Sequence, residues 1–349
     1  MKYLRQFGAK LSSADEQRFS ASPQFKNGRF ENLVTTTMDI TLSSLPKILK
    51  ENFSSNTKKS PEQPIPIAAF EAQSFDSADN KPKFIWYGHS VLLLQLLGKN
   101  ILIDPMFGDN AAPISPIATK RFSENSLELI DQLPKIDLVI ITHDHYDHLD
   151  YDSIKKLLPL ADKWFVSLGV GRHINKWGVP ADQISEFDWW DEVEFENIKM
   201  TCTPSRHFSG RGPFDRAKSL WGGWVFQTDD HSIYWSGDGG YGDHFKSISE
   251  KFGSFDWAFI ECGQYNKYWR PIHMFPDESV QAGLDVNANI IFPVHWGGFS
   301  LSPHAWKEPI EQFMEHAQNN SIQAYSPEMG IAINFGEENR CIDWWKDLN

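Results

Sequence analysis

The chain predicts an α/β fold of stacked layers from Lys83 onward, on three observations. Short runs rich in branched and aromatic residues are bounded by Gly, Pro and Asp, as strands are. Helical patterns alternate with them, which favours layers of helix on sheet. Residues suited to metal ligation stand where the strand-like runs end, the usual edge for a ligand site in such sheets.

Taken in order, residues 1–82 are polar and irregular, rich in Ser, Asn, Lys and Pro. They are expected to form an extension that packs on, or leads into, one catalytic domain spanning 83–349. A short helix is predicted near Leu45–Lys50, and Ser54–Pro64 has the composition of a loop or linker. Phe84–Tyr87, Val91–Leu97 and Asn100–Ile103 are predicted as consecutive strands, with a turn at Gly98–Asn100. The apolar run Asp137–Thr142 follows. Later strands run into His207, Asp238 and His295, and helical patterns cover Ser153–Leu158, Pro276–Gly283 and Pro309–His316.

The most informative stretch is His143-Asp-His-Tyr-Asp-His148, directly behind Asp137–Thr142. In an extended strand and the turn after it, side chains two apart share a direction, so His143 and His145 can converge on one cation while Asp147 and His148 turn toward a second. Twelve histidines are spread over the 349 residues, and three in a six-residue window is a poor match to a polar surface turn. Imidazole and carboxylate donors without a nearby thiolate suit zinc, with iron or manganese as alternatives, in a site that activates water. His207, Asp238 and His295 close further strand-like runs and complete a candidate donor set.

This ordered set, His-x-His-x-Asp-His followed by His, Asp and His, resembles the metallo-β-lactamase superfamily over about Phe84–Phe335. The resemblance implies a four-layer αββα sandwich with the metals at one edge of paired sheets. It implies two divalent cations, one held by His143, His145 and His207 and one by Asp147, His148 and His295, with Asp238 bridging. Six further segments are similar to the branch of phospholipases D that hydrolyse N-acyl phosphatidylethanolamine, and to its lactonase relatives: Ile85–Ser90, Ile103–Phe107 with Lys120–Phe122, Ser219–Trp224, Lys251–Asp256, His273–Ser279 and Val294–Gly297. The implied activity is a phosphodiesterase that cleaves a lipid phosphodiester with a metal-bridging hydroxide; the alternative is a lactone or carboxylic ester hydrolase. In the mechanism so implied, Asp147 ligates and orients, Asp238 balances charge between the cations, and His273 serves as proton donor or phosphate contact.

Other residues carry open alternatives. Asp104 is either a carboxylate that orients a ligand imidazole or a turn residue before Pro105, and Asp150 either orients a ligand or caps the next helix. His89 supports the site or simply packs. Arg206 and Arg270 bind an anionic headgroup or are solvated charges. Among the fourteen tryptophans, Trp221, Trp224, Trp269 and Trp296, with Phe275 and Phe299, are candidates for an apolar substrate wall.

Composition bounds the rest. With 41% hydrophobic residues the chain can fill a core, and a net charge of −13 opposes nucleic acid as a partner. Cys202, Cys262 and Cys341 are an odd, scattered set that suggests no disulfide framework. No apolar stretch approaches the roughly 20 residues that span a bilayer, and the start has no secretory signal. The expectations are a cytoplasmic protein, peripherally membrane-associated if its substrate is lipid-like, with homodimer formation left open.

Overall fold

The computed structural model describes residues 5–37, 46–47, 50–51, 57–75, 81–112, 119–212 and 214–348. The helix expected near Leu45–Lys50 and the first part of the Ser54–Pro64 loop lie largely outside them.

Two seven-stranded sheets form the centre. After a hairpin of β1 (Phe25–Lys26) and β2 (Arg29–Phe30), the first sheet comprises β3 (Lys83–Trp86), β4 (Leu92–Leu96), β5 (Lys99–Ile103), β6 (Leu138–Ile141), β7 (Trp164–Ser167) and β8 (Ile184–Phe187), with β16 (Ala332–Asn334) paired to β3. The second comprises β9 (Glu192–Phe195), β10 (Ile198–Thr203), β11 (Gly223–Gln227), β12 (Ser232–Trp235), β13 (Phe255–Glu261), β14 (Ala288–Val294) and β15 (Gln323–Ala324), in that order. Register is pinned by the β4–β5 hairpin, where Leu96 faces Lys99. Its two-residue turn is Leu97–Gly98, one position earlier than expected, and both residues have positive φ (48° and 72°), the geometry a type I′ turn requires.

Alternation along each strand explains the layers. On β3, Phe84 and Trp86 face the second sheet, within a core shared with Trp224, Phe226, Trp257 and Phe259. Ile85 faces the other way and packs with Leu93, Val139 and Ile141 against Ile154 and Leu157 of a helix, Tyr151–Leu157, and Ile174 of another, Gly171–Lys176. Both faces are therefore buried, and the strands are apolar almost throughout. Helices His244–Phe252, Pro276–Asp285 and Glu308–Asn319 cover the second sheet, which completes an αββα sandwich. The lead-in residues reach the core as well: Phe19, Phe30 and Ile65 are buried in the inter-sheet cluster.

In the first sheet β5 to β8 run parallel, as β12 to β15 do in the second. Asp104, His143, Glu261 and His295 each follow or end one of these strands and so arrive at one edge of the sandwich.

Candidate metal centre

Side-chain donors from both sheets converge at that edge. His143 Nε2 lies 2.9 Å from His145 Nδ1, and His207 Nε2 lies 3.1 Å from the same atom, so three ring nitrogens face one point. Beside them, His295 Nε2 is 3.1 Å and His148 Nε2 3.7 Å from Asp147 Oδ2. Asp238 Oδ2 stands between the groups, 3.0 Å from both His148 Nε2 and His295 Nε2 and 3.9 Å from both His143 Nε2 and His207 Nε2. All seven residues singled out as ligands are thus brought together, and the clusters they form are able to hold a metal ion.

The donor set fits a divalent cation on an observation of its own. His148 Nε2 and Asp238 Oδ2, although 3.0 Å apart, do not meet the alignment of a hydrogen bond and are buried with no other hydrogen-bond partner among the described residues, an expensive arrangement that a bound cation would relieve. Electrostatics agree. Burial and the neighbouring imidazoles hold His143 and His207 well below the ordinary histidine range, so they are neutral donors. Burial would also depress His295, but Asp238 and Asp147 overcome it and push it up to about 10. Burial would raise Asp147 and Asp238, yet the surrounding imidazoles pull both well below the carboxylate range. The pocket is built to concentrate positive charge on ionised carboxylates.

Supporting contacts settle several open alternatives. Asp104 Oδ2 accepts from His148 Nδ1 at 2.8 Å, while its two oxygens also accept from the Thr142 amide and hydroxyl at 2.7 Å, so it orients the His148 imidazole, a candidate ligand. Asp150 instead caps the helix Tyr151–Leu157 by accepting from the amides of Asp152 and Ser153. His89 lies with Nε2 2.9 Å from Asp147 Oδ2, and burial with His295 lowers it to about 3, which leaves a neutral ring whose N–H faces the carboxylate. Its backbone joins the two sheets: His89 N donates to Trp296 O, and His295 N donates to His89 O. A side chain at Gly298 would stand 2.6 Å from His89 Cβ, so this closure needs glycine.

Backbone strain collects here. His89, Asp104, Gln264 and His295 all have positive φ (53°, 43°, 65° and 64°), a conformation costing about 1–3 kcal/mol each that persists where the surroundings impose it.

His273 lines the cavity over the centre, its ring stacked on His295 at 5.2 Å and edge-on to His207 at 5.0 Å. Nδ1 meets Glu261 Oε2 at 3.0 Å. The cavity has a volume of about 310 Å³, and Ala111, Phe208, Trp269, Ile272 and Leu301 supply its apolar walls.

The expected substrate wall is corrected in part. Trp269 lines the cavity, but Trp221 and Trp224 are 1% and 0% exposed within the inter-sheet core, as is Trp296, which stacks on Trp86 and Trp344. The physical reason is volume: of the fourteen tryptophans, all but Trp190 and Trp269 are buried, ten of them in the inter-sheet cluster and Trp164 and Trp177 between the first sheet and its helices, because wide sheets need large side chains to fill the layers beside them. Phe275 packs on Tyr265 and under Arg270, outside the cavity lining, and Phe299 is buried edge-on to His89. Arg206 donates to Thr36 and Tyr241, and Arg270 pairs with Glu278, so neither guanidinium lines the cavity.

Two residues of the site carry no obvious mark in the sequence. Asp144, between the first two motif histidines, is fully buried and accepts from the Gly210 amide, fixing the loop rather than a cation. Glu261 is fully buried at the end of β13, where its only mark is an acid closing the apolar run Trp257–Ile260.

Comparison with known proteins agrees with this geometry. A model of the beta-lactamase superfamily domain matches residues 99–296. An uncharacterized Mycobacterium tuberculosis protein is 35% identical over 97% of this chain and 90% of its own. N-acyl-phosphatidylethanolamine-hydrolyzing phospholipase D 1 of Caenorhabditis elegans is 34% identical over 76% of this chain and 77% of its own. Among solved structures, a metallo hydrolase of Ignicoccus hospitalis superposes with a TM-score of 0.58 at 21% identity, covering 73% of this chain and 98% of that one. With the sandwich, the donor cluster and these relatives in agreement, the chain belongs to the metallo-β-lactamase superfamily of metal-dependent hydrolases, in the branch of the N-acyl-phosphatidylethanolamine-hydrolysing phospholipases D.

Proposed function

We propose that the chain is a binuclear phosphodiesterase that cleaves N-acyl phosphatidylethanolamine or a similar lipid phosphodiester. One observation carries the reading: the donor cluster opens into a cavity whose remaining walls are largely apolar, as a lipid substrate requires, in a chain related to phospholipases D named for that substrate. Leu301, 36% exposed, stands at this cavity, and Leu33 and Val34, 59% and 51% exposed, follow Asn32, whose amide donates to the His207 carbonyl. These are the apolar contacts by which an acidic protein would meet a lipid surface.

His143, His145 and His207 would hold one divalent cation and Asp147, His148 and His295 a second, zinc being the expected metal, with Asp238 between them. Such cations supply Lewis acidity and lower the pKa of a bound water from 15.7 toward roughly 7. The protein's own part is to orient and to move a proton. Asp104 and His89 fix His148 and Asp147. His273, over the centre, starts protonated on both ring nitrogens and gives one proton to the departing oxygen, which keeps the electron pair of the broken bond, while the proton lost by the attacking water leaves to solvent.

The test is a zinc-loaded enzyme assayed on long-chain and short-chain N-acyl phosphatidylethanolamines, bis-p-nitrophenyl phosphate and lactones. Each buried methylene is worth about 0.8 kcal/mol, so two should raise kcat/KM roughly tenfold for the long chain. Equal turnover of short soluble diesters, or a preference for lactones, would replace the lipid reading with that of a small-molecule ester or lactone hydrolase.

A further inference from the structure

Glu261 is a fully buried carboxylate placed between two imidazoles of the centre. Its Oε1 accepts from the Met274 amide at 2.7 Å, which ties the strand end of β13 to the loop that carries His273. Its Oε2 meets His273 Nδ1 at 3.0 Å and lies 3.9 Å from His295 Nδ1, an atom buried without a hydrogen-bond partner among the described residues. A carboxylate oxygen accepts here, so the Nδ1 hydrogen is held by Glu261; Nε2 is the nitrogen left to give up its proton from the imidazolium at the cavity, and the neutral ring that remains carries its hydrogen on Nδ1.

We propose that Glu261 is a positioning residue that sets the tautomer and the plane of His273. It rests on the proposed function only in taking His273 as the group that serves the departing oxygen. The plane is over-determined: the carboxylate holds one edge, and stacking on His295 with an interplanar angle of 10° holds the face. Without the carboxylate, the neutral ring is free to carry its hydrogen on Nε2, and its remaining contacts do not choose between the two nitrogens.

The test uses the full-length protein and begins without turnover. In protein labelled with ¹⁵N-histidine, with the His273→Gln spectrum identifying the resonances, neutral His273 should show a protonated Nδ1 and an unprotonated Nε2. In Glu261→Gln the hydrogen should shift toward Nε2. A neutral His273 protonated mainly on Nε2 in the unsubstituted protein overturns the proposal, whether or not the variant folds.

Kinetics supply the second arm. With zinc loaded, Glu261→Gln should keep the metal content and lose tenfold to a hundredfold on poor leaving groups, with little loss on p-nitrophenolate. Adding it to His273→Gln should cost no more than His273→Gln alone. Additive losses, or a loss that follows falling zinc content, overturn the proposal in favour of an effect through His295. If phosphodiesters are not substrates, the same cycle is run on aryl esters and lactones, so failure of the substrate reading leaves the tautomer and the cycle intact as tests.

Discussion

Asp104→Asn isolates what one buried oxygen does for the centre. The carboxylate accepts three hydrogen bonds, from the Thr142 amide on Oδ1 and from the Thr142 hydroxyl and His148 Nδ1 on Oδ2. An amide of the same shape must present its NH₂ to one of those oxygens' donors. Placed at Oδ1 it faces the Thr142 N–H; placed at Oδ2 it faces the N–H of His148, which can escape only by moving its hydrogen to Nε2, the nitrogen that would hold the proposed cation. Either way a buried donor is left unmatched at about 1–3 kcal/mol, and 1.4 kcal/mol is a factor of ten in affinity. Metal affinity at the Asp147, His148 and His295 group should therefore fall about tenfold to a hundredfold, as substitution of such outer partners commonly does, while the three-histidine group keeps its own. Competition against a chromophoric chelator on metal-free protein measures this, with the denaturant midpoint reporting the fold. Unchanged affinity at both groups in a folded variant would refute the assignment of Asp104.

Replacing His145 or Asp238 by Ala should remove at least one equivalent of metal and lower turnover by orders of magnitude with the fold kept; full metal content by mass spectrometry together with normal activity would sink the donor set. The two kinds of tryptophan should separate in denaturation experiments: Trp224→Ala, from the inter-sheet core, should cost about 3–5 kcal/mol, whereas Trp269→Ala should leave the midpoint nearly unchanged and weaken turnover of long-chain substrate. A pH dependence follows from two buried histidines outside the donor cluster. Burial, with Arg172 and Arg206 respectively, lowers His173 to about 4 and His244 to about 3. Below about 6.5 the unfolded chain takes up protons that the folded one refuses, so stability present above that pH is lost as pH falls toward 4, with a limiting slope of about 1.4 kcal/mol per unit per group. Unfolding midpoints at pH 7.5 and 5.0 check it, and His244→Gln should show the shallower loss.

Much of the centre is legible in the order of residues alone. His143, His145, Asp147 and His148 announce themselves because a turn at a strand end forces ligands within six residues into one small volume, and His207, Asp238 and His295 join them because each follows a strand-like run. The layered α/β class is legible for a similar reason, since strand and helix periods are local properties. What depends on contacts between distant segments is not. Whether Asp104 orients a ligand and Asp150 caps a helix rests on which side chain lies opposite, His148 in one case and the chain's own next amides in the other. Trp221 and Trp224 flank glycines in a loop-like run that suits a substrate wall equally well, and only the packing of one sheet on the other commits them to the core. Glu261 meets His273 across twelve residues, with the helical turn Arg270–Ile272 in between, and no periodicity encodes that meeting. Ligand types and strand order are written in short stretches of chain; partners, tautomers and cavity walls come from the closure of two sheets on each other, where distance in space no longer follows distance in sequence.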